Sequence, residues 1–496
     1  RVLESHAMIT VWRFLPLVLL AAVSWSAAAA ESRPNVIVVL CDDLGYGDLG
    51  CFGHRVIETP HLDRMAREGI RLTSCYSAAP VCSPSRVGLL TGRIPARAGV
   101  FDWIPEANQT GSQRASRSLV HLRRDEVTLP SLLKQAGYAT CLSGKWHCNA
   151  HFNSPEQPQP DAAGFDHWFA TQNNAAPSHE NPVNFVRNGE PTGPLEGYSC
   201  QLVVDEVIGW LDRRAEAAAR TPFFAYVAFH EPHTPVASPP ELVARYRLKA
   251  KNDDQAQYFA NVANLDAAVG RLLAALDHLN LAENTLVFFS SDNGPETLDR
   301  YPDAKRSYGS PGPLRGMKLW TTEAGSRVAG IIRWPGHVPA GVVSDQPVSS
   351  LDLLPTFCAL AHVTPPAGHQ LDGCDIRPLF ANQPITRPKP LMWIYFNALN
   401  DGRVALRWGD WKLLARLDGG DLPTFMNITE TTAARVRKAR LTDHSLYRLT
   451  DDIGEAHDLA AEEPAQRDAA AAKMEAMYRE VTGTMQVWPD GVPAKP

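Results

Sequence analysis

The chain has 496 residues, 44% of them hydrophobic and 21% charged, with 39 Pro and 34 Gly. These fractions exclude a disordered, collagen-like or coiled-coil chain and fit one large domain with a smaller one beside it. Lys and Arg number 48 against 54 Asp and Glu, a net charge of −6. With no long basic run, the sequence argues against nucleic acid as a partner, since that affinity rests on neutralising phosphates.

Arg13, the apolar run Phe14 to Val23 and the small residues Ser24 to Ala30 have the layout of a secretory signal peptide. The run is shorter than the roughly 20 apolar residues that span a bilayer. Residues 1–30 are therefore read as leader and signal peptide, with Met8 as the start and cleavage near Ala30. No later stretch reads as a membrane span. The mature protein is expected to be exported: periplasmic or extracellular in a bacterium, lysosomal or secreted in a eukaryote. Nine cysteines lie at positions 41, 51, 75, 82, 141, 148, 200, 358 and 374. Export permits disulfides, and the odd count leaves at least one thiol over. No pair has CxxC spacing, which excludes zinc ribbons and thioredoxin chemistry.

Four short apolar runs each lead into residues able to do chemistry. Asn35 to Leu40 reads as a strand buried on both faces, and Asp42 and Asp43 follow it. Tyr138 to Leu142 leads to Gly144, Lys145, Trp146 and His147. Phe223 to Phe229 leads to His230, Glu231, Pro232 and His233, and Thr285 to Phe289 leads to Asp292, Asn293 and Gly294. Between the last two runs, Tyr258, Val262, Leu265, Val269, Leu272 and Leu276 recur at helical steps. Strand, helix, strand in that order predicts a parallel sheet with right-handed crossovers and a site beyond the carboxyl ends of its strands. Pro384 to Pro390 reads as a linker, Val404 to Leu414 as strand-like and Pro464 to Val481 as a terminal helix.

In Pro80 to Arg93, Ser83 reads as a helix N-cap and Pro84 as a first-turn residue. Cys82 then sits at a helix N-terminus, a place that favours anions. A lone cysteine there is ordinarily a small buried residue; the blocks around it decide otherwise. Cys82-Ser83-Pro84-Ser85-Arg86, continued by Leu90-Thr91-Gly92-Arg93, resembles the hallmark of the formylglycine-dependent (type I) sulfatases of the alkaline phosphatase superfamily. Further blocks match in order: Leu40 to Asp43, Gly144 to His147, His233 to Pro235, Ser291 to Gly294, Leu314 to Lys318 and Asp352 to Thr356. Gly409 to Leu413 and Ser445 to Leu449 resemble that family's small sheet domain.

The resemblance implies an α/β fold: a large mixed, mostly parallel sheet sandwiched by helices (alkaline phosphatase-like) over residues 31–385. A smaller C-terminal α+β subdomain, with an antiparallel sheet and a terminal helix, is expected over 386–496. It also implies that a formylglycine-generating maturation system oxidises Cys82 to 3-oxoalanine (formylglycine), held in place by Arg86. The hydrated aldehyde carries two hydroxyls on one carbon, so one can attack sulfur and the other expel sulfate, which a serine cannot do. One divalent cation, taken as Ca²⁺, is expected on Asp42, Asp43, Asp292 and Asn293 together with residue Cys82, since hard oxygen ligands suit it. Lys145 and Lys318 match the lysines that contact sulfate, and His147 the histidine that helps regenerate the aldehyde. His233 matches the histidine that protonates the leaving oxygen, while His230 is expected to face the substrate.

The expected reaction is hydrolysis of sulfate monoesters of a small molecule or glycan. The alternatives are a phosphate or phosphonate monoester hydrolase of the same superfamily and a non-catalytic sulfated-glycan binder. The complete set of Lys145, His147, His233 and Lys318 favours sulfate. Gln172 to Glu180 and Asn188 to Tyr198 read as loops lining a sugar site. Arg114, Arg117, Arg123 and Arg124 either greet a polyanion or lie solvated.

Overall fold

The computed structural model describes residues 33–107, 118–217, 221–298, 306–418 and 428–489. The signal segment expected over 1–30, with Arg114 and Arg117, lies outside them. The described residues from Pro34 onward form one compact unit.

Among the described residues, eleven strands make the large sheet. They are β1 (Asn35–Asp42), β2 (Ile70–Tyr76), β3 (Ala139–Lys145), β4 (His167–Thr171), β5 (Val186–Arg187), β6 (Glu190–Pro191), β7 (Phe223–Pro232), β8 (Thr285–Ser291), β9 (Arg327–Arg333), β10 (Val342–Ser344) and β11 (Val348–Ser349). The order is β10-β2-β9-β8-β1-β7-β3-β4-β5-β6, with β11 beside β2. All four apolar runs of the sequence fall in the block β8-β1-β7-β3, whose neighbours pair in parallel. Strand β9 runs against both β8 and β2, which makes the sheet mixed.

Burial on both faces explains why these strands read as unbroken apolar runs. Val36, Val38 and Leu40 of β1 enter one core with the helices Cys82–Thr91 and Leu353–Leu360. Ile37, Val39 and Cys41 enter the opposite core with the helices Ser199–Glu216 and Asp253–His278. The helix Asp253–His278 buries all six residues of the predicted stripe, and Asn252 caps it by accepting from the Gln255 N–H at 2.8 Å. By length and composition this helix is able to cross a membrane, against the expectation that no later stretch would be. Its most apolar window is 72% buried within the protein, so its alanines and leucines belong to the core.

The second sheet is antiparallel, in the order β12 (Leu391–Ile394), β13 (Val404–Trp408), β14 (Trp411–Leu417) and β15 (Leu441–Arg448). The stretch 404–414 is thus a hairpin, not one strand. Trp408 pairs with Trp411 across a two-residue turn whose Gly409 has φ +59°. Alternation continues through so short a turn, and the reversal leaves little mark on the pattern. The helix Pro464–Thr484 covers one face of this sheet through Met474, Tyr478 and Val481. All nine cysteines are free, and all but Cys51 are buried.

One glycine sets how closely β3 approaches β7. Gly144 has φ +109°, and a Cβ there would lie 1.8 Å from the Ala228 carbonyl oxygen. Gly53 has a similar φ of +102° with nothing within 4 Å of its Cβ direction. Gly144→Ala should therefore lower unfolding free energy by at least about 2 kcal/mol, and by more than Gly53→Ala in denaturant melts. Equal losses would mean that the contact with β7 contributes nothing.

Candidate active site

The chemistry-bearing residues gather at the carboxyl ends of the central strands. Asp42 ends β1, and the left-handed φ of +64° at Asp43 turns the chain out of the sheet. The ends of β1 and β8 are stitched together. The Asp43 N–H donates to Asp292 Oδ1 (3.3 Å), the Leu44 N–H to Ser291 Oγ (3.0 Å) and Asn293 Nδ2 to Asp43 Oδ1 (2.7 Å). Lys145 ends β3 and donates to Asp42 Oδ2 at 2.5 Å, with Asn174 Oδ1 3.4 Å away. Lys318 is placed by its backbone N–H, which donates to the Pro295 carbonyl, and its Nζ donates to Asp43 Oδ2 at 2.8 Å.

Cys82 is the first residue of the helix Cys82–Thr91, and its thiol points to Asp42 Oδ1 at 3.4 Å. Ser83 is not the cap. The helix begins two residues earlier than the Ser-Pro pattern implies, and extended Val81 occupies the cap position without a side-chain bond. Already helical, Ser83 uses its Oγ to accept from the Ile104 N–H at 2.9 Å, which pins the 101–106 segment over the helix start. Arg86, from the same helix, donates through Nε to Asp292 Oδ2 (2.9 Å) and through Nη1 to the Lys145 carbonyl (3.0 Å). It thus braces the carboxylate and the strand end around Cys82.

Three buried carboxylates are matched by three buried cations: Asp42 with Lys145, Asp43 with Lys318, Asp292 with Arg86. Burial alone would push the Asp42 carboxyl up, but Lys145, His233, Arg86 and Lys318 hold it well below the usual range. Asp292 goes the other way, pushed up by burial and then by the charge of Asp42, with Arg86 only partly opposing. Two carboxylates at one site separate in this way unless further positive charge is supplied.

Such charge has a place to bind. Ligand atoms of Asp42, Asp43, Cys82 and Asp292 all lie within 4.8 Å of one another. Asn293 Oδ1 is buried and accepts from no described group. Three carboxylates plus an amide oxygen without a donor make a hard-oxygen set, which fits a Ca²⁺- or Mg²⁺-like ion.

The histidines divide by their partners. His147 (φ +52°) donates through Nε2 to the Ile104 carbonyl at 2.9 Å. Its buried Nδ1 is left as an acceptor without a partner among the described residues. Burial, then Lys145 and Arg86, holds this ring well below the usual range, so it is neutral. His233 donates through Nδ1 to the Thr234 carbonyl at 2.5 Å, leaving Nε2 3.5 Å from Asp43 Oδ2. Its side chain is 19% exposed. Burial, then Lys318, pushes it down to about 4.

His230, expected to face the substrate, lies in the core with its Nδ1 unpartnered among the described residues. It is fully enclosed, with Nε2 bonded to Thr171 Oγ1 at 2.8 Å and the ring edge-on to Phe185. Because β7 continues to Pro232, His230 is still a strand residue packed among neighbours. Asn174 lies in the loop 172–180, where a lone Asn in a polar stretch carries no pattern. Arg123 is spent on the Val487 carbonyl and on the Trp488 ring, 4.7 Å from its guanidinium carbon. The segment Asn188 to Tyr198 starts in the turn after β5 and contains β6, the sheet edge.

Comparison with known proteins agrees with this geometry. Residues 34–363 match the family model described as Sulfatase. The N-acetylgalactosamine-6-sulfatase of Canis lupus familiaris is 36% identical over 424 residues, covering 82% of this chain and 76% of that protein. Arylsulfatase A of Bos taurus is 34% identical over 464 residues, covering 87% and 84%. Among solved structures, Ps i-CgsB in complex with k-i-k-neocarrahexaose superposes with a TM-score of 0.75 at 28% identity, covering 93% of this chain and 95% of that one. The match runs through the sheet, the strand ends and the helix that begins at Cys82, and the chain belongs to the sulfatase family as a sulfuric ester hydrolase.

Proposed function

We propose that the chain hydrolyses sulfate monoesters of carbohydrates with a formylglycine, formed from Cys82 by a separate maturation system, as nucleophile. The observation that carries the reading is the position of Cys82. It starts a helix, points to Asp42 and shares one buried cluster with Asp43, Asp292, Lys145 and Lys318. The hydrated aldehyde supplies two hydroxyls on one carbon, so that sulfate can be captured and then released. Asp42, Asp43, Asp292 and Asn293 would hold a divalent cation, for which we favour Ca²⁺. Bound there, it supplies positive charge for a sulfate oxygen and for the nucleophile.

The remaining work falls to side chains of the chain itself. Lys145 and Lys318 point their ammonium groups into the cluster, where they can hold sulfate oxygens. Arg86 fixes Asp292 and the Lys145 carbonyl, so the helix start and two strand ends keep one geometry. His147 is suited to be a base, because Nδ1 is its one uncommitted nitrogen. His233 is suited to serve the leaving oxygen, because Nε2 faces the cluster at its more open side. Its neutral resting form is favoured by burial and Lys318, and the negative charge of a bound sulfate ester favours the protonated form that can donate. His230 stands outside this set. Export, on the strength of residues 13–30, and the division at 385/386 complete the reading.

Two experiments test the roles. Asp292 also neutralises Arg86, so Asp292→Ala should unfold the site as well as inactivate it, at a cost of about 3–5 kcal/mol. Asp292→Asn keeps the shape and an acceptor for Arg86 but not the charge, so it should lose turnover by at least ~10³-fold with a melting temperature between those of wild type and Asp292→Ala. Chelator should inactivate wild type, and Ca²⁺ should restore it; full activity in excess chelator would remove the cation from the reading.

His233→Ala should cost alkyl and sugar sulfates about 10²–10⁴-fold and activated aryl sulfates far less, because good leaving groups need no proton. A Brønsted plot of rate against leaving-group pKa reads the difference directly. Equal losses on both substrate types would assign the donor elsewhere.

A further inference from the structure

We infer that Leu319 is a positioning residue for the reaction: held left-handed between the Cys82 segment and the C-terminal sheet, it sets where Lys318 stands at the nucleophile. The inference rests on the reading of Lys318 as a sulfate-holding group above, and adds what keeps that group in place.

The backbone gives the first observation. Leu319 has φ +66°, a region closed to most L side chains and visited chiefly by Gly, Asn, Asp and His. Among the described residues, no other apolar side chain is held there. Lys318 and Leu319 are the central pair of a turn that the Trp320 N–H closes onto the Met317 carbonyl at 3.1 Å. A left-handed third residue in such a turn is ordinarily glycine. The turn is also packed closely: a Cβ on Gly325 would lie 1.7 Å from the Trp320 carbonyl oxygen. A leucine held against its own preference must be fixed by its surroundings.

Those surroundings are three separate parts of the site. The Lys318 N–H donates to the Pro295 carbonyl (2.9 Å), just past Asn293. The Leu319 N–H donates to the Pro80 carbonyl (2.8 Å), in the segment that leads into Cys82. The Leu319 carbonyl accepts from the Leu399 N–H (3.0 Å), in the loop between β12 and β13. The Leu319 side chain is buried with Val81, Tyr395 and Ala398, and Trp103 packs against them. From the same loop, Tyr395 Oη and Asn397 Nδ2 donate to Asp102 at 3.2 and 2.6 Å. The C-terminal sheet therefore grips both the lysine turn and the segment over the Cys82 helix. Lys318 Nζ reaches Asp43 from this turn, and a misplacement of about 1 Å in such a group can cost about 10²-fold in rate.

Packing and backbone placement make opposite predictions for two substitutions. Leu319→Ile keeps the volume, but its β-branch resists positive φ. Leu319→Gly loses the packing, yet takes this conformation without strain. With matured protein and 4-nitrophenyl sulfate, Leu319→Ile should lose about 10²-fold in kcat/KM, and Leu319→Gly clearly less. The inhibition constant of inorganic sulfate, which reads Lys318 directly, should rise in Leu319→Ile and stay closer to wild type in Leu319→Gly. If Leu319→Ile fails to fold, Leu399 decides, because its side chain is 52% exposed. Leu399→Pro removes the N–H that Leu319 accepts from, and should cost more than Leu399→Ala, which keeps it.

A greater loss in Leu319→Gly than in folded Leu319→Ile, an unchanged sulfate constant in Leu319→Ile, or equal losses in the two Leu399 variants would make Leu319 a packing residue alone. Wild type that neither releases sulfate from this ester nor is inhibited by sulfate would overturn the reading of Lys318 itself.

Discussion

Everything at this site depends on three carboxylates being buried together. A buried ion is tolerated only when paired, and the cost of stranding one is several kcal/mol, on the order of 3–5. Here each acid has its own cation, and each pair joins different parts of the fold. Lys145 to Asp42 links β3 to β1 across β7, and Arg86 to Asp292 links the Cys82 helix to β8. Lys318 to Asp43 draws in a loop that arrives from beyond β8. The groups fitted to hold sulfate and a cation are thus the same groups that balance charge in the scaffold. Isosteric substitutions keep the packing but still strand the partner charge, whereas truncations lose both.

A second buried charge network lies where the two sheets meet. Glu323 accepts from Lys412 Nζ (2.8 Å), Tyr76 Oη (2.7 Å) and Arg327 Nη1 (3.0 Å), while its N–H donates to Glu455 Oε2 (2.8 Å). Burial would raise Glu323, but Lys412 and Arg327 hold it down to about 2. Asp352 plays a similar part elsewhere, accepting from the N–H groups of Ser349 and Cys374 and from Arg387. The sequence blocks at Asp352 to Thr356 and Gly409 to Leu413 therefore contain residues whose work is to join elements. They sit away from the acids and lysines around Cys82.

The parts of this arrangement that could be read from the sequence are those with a short-range physical signature. Strands buried on both faces appear as apolar runs, and the 253–278 helix as a stripe at helical steps. The acids and amides just past strand ends could be placed because parallel sheets present their carboxyl ends to ligands. Where the deciding contact was distant, the reading failed. Ser83 reads as a cap because a serine precedes Pro84, yet its hydroxyl serves Ile104, 21 positions away. His230 and His233 look alike in the chain, and only the length of β7 sends one into the core and the other to the site. Asn174 meets Lys145 across 29 positions, with nothing local to mark it.

The central claim is that residue Cys82 acts as an aldehyde. The most direct measurement is peptide mass analysis of the segment around Cys82 across preparations matured to different extents, set against specific activity for a sulfate ester. Activity should rise in proportion to the fraction carrying the aldehyde and extrapolate to zero for the thiol form, with the fold unchanged throughout. Undiminished activity in protein whose Cys82 is wholly an unmodified thiol would contradict the account.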